Sequence, residues 1–339
     1  IDRKHLLQKD SVRSLVFILL AAALIYFYFN KKIKKQYFIG LLGLMILIDM
    51  WSVDKRYMNN DDLVPRRQAR AIEQPIEADL VIQQDPEIHY RVYDVSADPF
   101  QNTRASNFHK SIGGYHGAKM QRYQDIISFH IARNNMNVLN MLNTRWFIVP
   151  GQEGQPPRAQ FNRSALGNAW FVDTFSFVNN ADEEIAILGE INPADEAIVD
   201  VRFSEYLDEF TPVYDSTASI ILTTYQPDNL VYEYHAESDQ LAVFSEVYYD
   251  KGWEAYIDNE PYPHFRANYI LRAMVLPAGK HTIEFKFRPK SYSTGKKIAG
   301  ISSIILLLLV LFGFGNEIRN YITINGKKES ADTTDPDIK

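Results

Sequence analysis

The chain of 339 residues contains no cysteine. This absence excludes disulfide bonds, cysteine-bound zinc and thiol nucleophiles, although it does not exclude an oxidising compartment. A surplus of positive charge is lacking too: the net charge is −6, so we expect no broad basic face and no nucleic-acid partner. The GxSxG, HExxH and GxGxxG patterns are missing as well, which leaves the standard hydrolase constellations without support.

The chain opens on Ile1, and no charged start followed by a short apolar core and a cleavage site marks a signal peptide. We therefore expect a fragment of a longer reading frame or a trimmed sequence. The mean hydropathy of −0.24 resembles that of a soluble protein, but it averages over three apolar blocks. An aromatic share of 13% suits membrane interfaces, β-sheets or sugar-stacking surfaces.

The three apolar blocks predict transmembrane helices. They cover residues 14–30, 36–48 and 298–316, and a spanning helix needs about 20 mostly apolar residues. The first and third meet this length, whereas the second is short and leaves a buried core helix as its alternative. Because the first two blocks are adjacent, we predict a membrane hairpin over residues 11–54 and a C-terminal membrane helix over 297–316.

The linker KKIKKQ between the first two blocks sets the predicted orientation. Its four lysines form the densest basic cluster in the chain, and short positive loops stay in the cytoplasm. The large segment between the second and third helices is then extracytoplasmic, and residues 317–339 form a cytoplasmic, disordered tail. We predict a multi-pass protein of the bacterial inner (cytoplasmic) membrane, although Lys296 and Lys297 on the outer side argue weakly against this orientation.

Residues 55–165 mix helix and strand signals and predict an extracytoplasmic α+β region. Residues 88–96 and 145–150 have strand composition, and residues 119–142 show helical spacing. Residues 166–296 change to regularly spaced strands, which predicts an antiparallel β-sandwich or jelly roll. The predicted strands cover residues 169–178, 198–203, 219–226, 229–237, 240–249, 253–258, 269–277 and 281–289.

Several long stretches of the sequence resemble one bacterial family. The stretches SIGGYHGAKMQRYQD, NMLNTRWFIV, LGNAWFV and YYDKGWEAYIDNEPYPHFRANYILRAMVLPAGKHTIEFKFRP, with the closing membrane helix, look like the C-terminal portion of YfhO-type membrane proteins. The resemblance runs from the first membrane helix over essentially the whole chain.

This resemblance implies a large polytopic protein similar to the C-type glycosyltransferases, which take a sugar from a polyprenyl-phosphate carrier. The implied partners are the lipid bilayer, that carrier sugar and a glycan or lipid acceptor of the cell envelope. The catalytic carboxylates of such enzymes lie in outer loops of an N-terminal membrane region, so no residue of this chain inherits a catalytic role. The resemblance implies no cofactor for this fragment and leaves a divalent metal open for the N-terminal region.

The stretch FHKSIGGYHGAKMQRYQD is the first candidate binding site. Gly113 and Gly114 permit positive φ and close backbone approach, and the polar residues near them would supply donors to a phosphate or a sugar phosphate. The proposed binding residues here are Arg104, His109, Lys110, Gly113, Gly114, Tyr115, His116 and Lys119. The alternatives are a packed turn with solvated side chains and a metal site through both histidines. The latter is disfavoured because two histidines alone under-coordinate zinc.

The segment GWEAYID with PHFRANYILRA is the second candidate, with Trp253 for sugar stacking and Arg266 and Arg272 for hydroxyl groups. The alternation around Trp253 equally predicts a half-buried strand with the indole in the core, and both arginines have nearby carboxylates as alternative partners. Asp49, Trp51 and Asp54, at the predicted outer end of the second helix, are interpreted as interfacial anchors.

The function predicted from the sequence is therefore the C-terminal part of an envelope glycosyltransferase. A non-catalytic, membrane-tethered carbohydrate-binding or assembly module is the alternative. A transporter component is less favoured, because no charged residue lies in the middle of an apolar block.

Overall fold

The computed structural model describes residues 2–66 and 74–332, so residues 67–73 of the predicted α+β region, 55–165, lie outside the described part. The chain divides into two compact units, residues 1–74 and 75–339. Three described helices are long and apolar enough to cross a membrane, with candidate spans at His5–Phe29, Lys35–Asp62 and Lys290–Arg319. The three apolar blocks of the sequence thus form long helices, as predicted.

The first unit is a helical hairpin. Helix α1 covers Asp2–Phe29 and helix α2 covers Lys35–Tyr57, followed by a 3-10 turn at Asn60–Asp62. At the lysine-rich linker the rings of Tyr28 and Phe38 stack with their centroids 4.5 Å apart. No residue of α2, which is described throughout, is buried, so the alternative of a buried core helix gains no support.

Two ion pairs join α1 and α2 towards the other end of the hairpin. Arg56 Nη1 lies 2.6 Å from Asp10 Oδ1, and Arg13 Nε lies 3.5 Å from Asp49 Oδ1. Asp10 and Arg56 are each about 18 residues from the stacked aromatic pair, which is roughly 27 Å of helix and close to the thickness of a bilayer core. Asp49 lies only about 11 residues, or roughly 16 Å, from Phe38. In a membrane, the Arg13–Asp49 pair is therefore the deeper one, which differs from the interpretation of Asp49 as an interfacial anchor.

We expect the deeper pair to matter more for the hairpin. Arg13→Met or Asp49→Leu alone leaves one charge without its partner in the apolar layer and should cost about 3–5 kcal/mol. The double variant should recover much of this loss. Arg56→Met, at the interface, should cost at most about 1 kcal/mol. Thermal unfolding of the full chain in one detergent measures all four, and an equal loss for Arg56→Met would contradict the assigned depth.

The second unit begins with the α+β region. Its three-stranded sheet has the order β1-β2-β3, with β1 parallel to β2 and β2 antiparallel to β3. Strand β3 lies within the Gly/Pro/Gln-rich residues 151–164, where the sequence analysis names no strand. The elements are α3 (Glu77–Ile82), β1 (Arg91–Asp94), α4 (Arg104–Phe108), α5 (Gln121–Phe129), a 3-10 turn (Ile131–Arg133), α6 (Met136–Met141), β2 (Thr144–Val149) and β3 (Arg158–Phe161).

The β-rich part contains two larger sheets. The elements are β4 (Ala169–Val172), β5 (Thr174–Val178), α7 (Ala181–Ile187), β6 (Glu196–Asp200), a 3-10 helix (Val201–Tyr206), β7 (Ser219–Gln226), β8 (Asn229–Ala236), β9 (Gln240–Val247), β10 (Trp253–Ile257), β11 (Glu260–Tyr262), β12 (Phe265–Ala267), β13 (Leu271–Leu276) and β14 (Gly279–Phe287). The strand orders are β11-β10-β14-β8-β7 and β4-β9-β13-β12-β6-β5.

Side chains of the two larger sheets share one apolar cluster. Phe244 of the six-stranded sheet meets Phe285 and Tyr232 of the five-stranded sheet edge to face, each at a centroid distance of 5.0 Å. Such aromatic contacts stabilise a core beyond the burial of area alone. The β-rich middle of the chain is thus confirmed, while its classification as a sandwich or jelly roll stays a prediction.

The six-stranded sheet is not antiparallel throughout, which corrects the prediction. Strands β5 and β6 pair in parallel, because α7 carries the chain back between them. The single strand predicted over residues 169–178 is also split. The backbone N–H groups of Asp173 and Thr174 both donate to Asp195 O, at 2.9 and 3.1 Å. This break sends β4 and β5 to opposite edges of the sheet.

The chain ends in helix α8, which covers Lys290–Asp332. The predicted membrane helix, residues 297–316, forms its apolar part. The sequence predicts a disordered tail from residue 317 onward, whereas the structure continues the helix to Asp332, and residues 333–339 lie outside the described part.

Candidate functional site

The glycine pair of the first candidate site packs tightly against the backbone of Pro99. A β-carbon on Gly113 would lie 2.0 Å from Pro99 O, which no side chain allows. Gly114 has φ +103° and donates its N–H to Pro99 O at 2.6 Å, and Gly113 N donates to Ser111 Oγ at 3.1 Å. Both N–H groups are thus used within the protein, so the pair shapes the loop and does not supply the expected backbone cradle for a phosphate.

Part of the predicted site does line one cavity of about 390 Å³. The predicted residues in its wall are Gly113, Gly114, Tyr115, His116 and Lys119. The remaining wall is aromatic, apolar or hydroxylic and includes Phe100, Ser106 and Tyr123. We call this space the loop cavity.

The polar side chains of the loop cavity make few hydrogen bonds within the protein. Lys119 Nζ donates to Gln124 Oε1 at 3.3 Å and lies 5.6 Å from the ring centroid of Phe100. His116 Nδ1 accepts from Ala118 N at 3.1 Å, and the Tyr115 side chain is strongly exposed. An ammonium group, an imidazole and aromatic rings around one space suit a sugar or a sugar phosphate.

Arg104 and His109 do not face the loop cavity but bind a buried carboxylate. Asp79 on α3 is fully buried and accepts hydrogen bonds from Arg104 Nη2 and from His109 Nε2, the latter at 2.9 Å. It also accepts from Ile76 N at 2.8 Å. A buried carboxylate needs such partners, so both residues hold α3 against α4 and the loop that follows it.

The sequence reasoning missed Asp79, although a signal was present. The helix EADLVI places Asp79 between Ala78 and Leu80, on the side of Glu77 that leads into an apolar run. An acid flanked by apolar residues that pack into a core predicts a buried partner.

The geometry does not support the alternative of a metal site through both histidines. His109 faces Asp79 while His116 lines the loop cavity, and the described residues contain no group of three or more His, Asp or Glu side chains placed to hold a metal ion.

We expect Asp79→Asn to lower stability, because it removes one of the two buried carboxylates beside the Arg104 guanidinium and leaves Asp94 Oδ2, at 3.6 Å. The cost should be about 1–3 kcal/mol. Asp208→Asn, at an exposed carboxylate, is the matched control and should change little. Thermal unfolding of the full chain measures both, and an unchanged melting temperature for Asp79→Asn would show that the contacts of Asp79 are dispensable.

Lys110 points away from the loop cavity and contacts Tyr225. Its Nζ lies 3.4 Å from the ring centroid of Tyr225, and the His89 ring stacks on the same tyrosine at 3.8 Å. Burial lowers the pKa of Lys110. Burial, with the charge of nearby Arg91, lowers the pKa of His89 to about 3. Lys110 thus joins the α+β region to β7, a contact between distant residues that periodicity does not reveal.

Arg266 of the second candidate site is a buried ion-pair residue. Its Nη2 donates to Glu184 Oε2 at 2.8 Å and to Asp200 Oδ2 at 3.2 Å. Glu184 on α7 is fully buried and also accepts from Tyr269 N at 2.9 Å. Arg266 therefore pairs with carboxylates, as the alternative stated. Its partner Glu184 lies on α7, a segment for which the sequence analysis names no element.

Trp253 and Arg272 pack together in the β-rich part. The Arg272 guanidinium lies 4.0 Å from the Trp253 ring centroid and 5.1 Å from that of Phe285. Arg272 is almost fully buried, its Nε donates to Val247 O at 3.1 Å, and burial lowers its pKa. Trp253 is half-buried and close to Phe287, which agrees with the alternative of a core role.

The predicted site residues thus lie in separate places: five of them line the loop cavity, and His109 and Lys110 line a second cavity of about 240 Å³. Residues 204–325 match the family model described as "Bacterial membrane protein YfhO". The match includes the segment around Trp253 and the apolar part of α8 but not the loop cavity. A search of curated proteins and a search of solved structures each found no match.

Proposed function

The chain is a YfhO-type bacterial membrane protein, and from this premise we propose that it is part of a glycosyltransferase that uses a polyprenyl-phosphate sugar. In this proposal the acceptor is a glycan or lipid of the cell envelope. The loop cavity binds the sugar or phosphate headgroup. The observation that carries the proposal is the gathering of Tyr115, His116 and Lys119 around this one space.

The charge and the size of the loop cavity support such a ligand. Its described wall contains the cation Lys119 and the imidazole of His116 but no carboxylate. A wall of this kind attracts a phosphate and does not repel it. Its volume of about 390 Å³ lies within the range usual for small-ligand sites. The exposed ring of Tyr115 offers a surface for a sugar.

One observation favours binding without chemistry in this part of the protein. The buried carboxylates Asp79 and Glu184 are both committed to arginine partners, so neither is a free base next to the loop cavity. We therefore assign no catalytic residue to this chain. A non-catalytic carbohydrate-binding or envelope-assembly module is the second candidate function.

We expect the combined variant His116→Ala and Lys119→Ala to reduce sugar transfer at least tenfold without lowering the melting temperature. The measurement is transfer of radiolabelled sugar from polyprenyl-phosphate donors by the full-length protein. Lys280→Ala, at an exposed lysine outside the cavity wall, is the control and should retain activity. A parallel loss of stability would favour a packed turn, and no transfer from any donor by the unaltered protein would favour the non-catalytic module.

We also propose that the protein lies in the inner membrane with residues 75–289 outside the cytoplasm. The support is the linker with Lys31, Lys32, Lys34 and Lys35 between two candidate spans.

The absence of native cysteine makes this orientation directly testable. We expect a membrane-impermeant maleimide to label Ser216→Cys in intact spheroplasts, and to label Asn30→Cys in the linker turn only after permeabilisation. Both positions are exposed. The reverse pattern would overturn the orientation.

A further inference from the structure

Basic residues are concentrated where the last strand enters the C-terminal helix. Arg288 follows β14, and Lys290, Lys296 and Lys297 lie in the first part of α8. All four are exposed. The apolar part of α8 begins directly afterwards, at Ile298, within a candidate membrane span. These cations therefore stand at the boundary where the chain enters the apolar layer.

A second segment brings another cation to the same place. The turn between β9 and β10 contains Lys251, and Gly252 O accepts a hydrogen bond from Arg288 N at 2.6 Å. Gly252 has φ +133°, and a β-carbon there would lie 2.9 Å from both Phe287 and Pro289. The turn is thus packed closely against the start of α8. We call Lys251, Arg288, Lys290, Lys296 and Lys297 the basic collar.

The surroundings of the basic collar are those of a membrane interface. In its two segments, residues 248–252 and 288–297, Asp250 is the one acidic residue. Tyr249 and Tyr292 are 38% and 68% exposed, respectively. Tyrosine side chains concentrate at headgroup level, where the ring is sheltered and the hydroxyl stays wet.

We propose that the basic collar binds the headgroups of anionic phospholipids on the side of the membrane that faces residues 75–289. From Lys290 to Ile298 the helix rises roughly 12 Å. This places Lys296 and Lys297 at the edge of the hydrocarbon, with Lys290 and Arg288 in or just above the headgroup layer, where clustered lysines attract anionic lipids. The continuity with a candidate membrane span favours lipid over a soluble anion or an acidic peptide.

The collar also has a structural consequence. Because Lys251 belongs to a turn between two strands of different sheets, lipid contacts there hold the β-rich part itself against the bilayer. Contacts to α8 alone would anchor only the helix. This inference depends on neither the glycosyltransferase proposal nor the chosen orientation.

The test compares lipid retention by the full chain. The protein is extracted from mixed phosphatidylglycerol and phosphatidylcholine nanodiscs and gently delipidated, and the bound lipids are counted by native mass spectrometry. We expect several-fold enrichment of phosphatidylglycerol over its share of the bilayer. Lys251→Glu combined with Lys290→Glu should reduce this enrichment at least threefold.

Two further variants distinguish lipid binding by the basic collar from an effect of net charge and from an effect on folding. Lys280→Glu makes the same change of charge per substituted residue at the opposite end of β14, about eight residues or roughly 26 Å away, and should retain the enrichment. Lys251→Gln with Lys290→Gln removes charge without reversing it, and should lower the enrichment while the melting temperature stays constant.

Three results would overturn the inference. The first is equal phosphatidylglycerol retention by the unaltered protein and the Lys251→Glu, Lys290→Glu variant. The second is an equal loss in Lys280→Glu. The third is displacement of the lipid by millimolar inorganic phosphate, which would identify a site for free anions.

Discussion

The buried carboxylate of Asp79 determines which polar residues around the loop cavity remain free for a ligand. Because it has no access to water, it must be neutralised within the fold, and Arg104 and His109 do so. These contacts join α3 to α4 and fix the start of the loop. The glycine pair then packs on Pro99, so the predicted polar side chains that line the cavity are those after the pair, Tyr115, His116 and Lys119.

The β-rich part follows the same physical rule. Glu184 is buried on α7 and receives Arg266 from β12 and the backbone N–H of Tyr269. These contacts tie the parallel β5–α7–β6 unit to β12, the next strand of the six-stranded sheet, and to the turn that follows β12. Among the described residues, Arg272 has no carboxylate within ion-pair distance, and the rings of Trp253 and Phe285 pack on it instead. Two buried arginines of the same sequence segment are therefore stabilised differently, Arg266 by ion pairs and Arg272 by aromatic rings.

Much of the architecture was open to prediction, and the candidate site was less so. Hydropathy and strand composition located the long helices and most strands, because these signals are carried by neighbouring residues. The composition of the sequence singled out the loop over residues 113–119, and five of its residues line one cavity. The parallel β5–β6 pair and the short strand β3 were missed, since pairing depends on residues far apart in the chain.

By itself, the sequence determined the three apolar helices, the absence of thiol chemistry and the family resemblance later found over residues 204–325. These properties depend on residue type and order alone. Only the tertiary structure decided which charged side chains form ion pairs in the core and which face open space. That decision depends on partners such as Asp79 and Glu184, which lie 25 and 82 residues from their arginines. Burial of each acid makes its pairing obligatory.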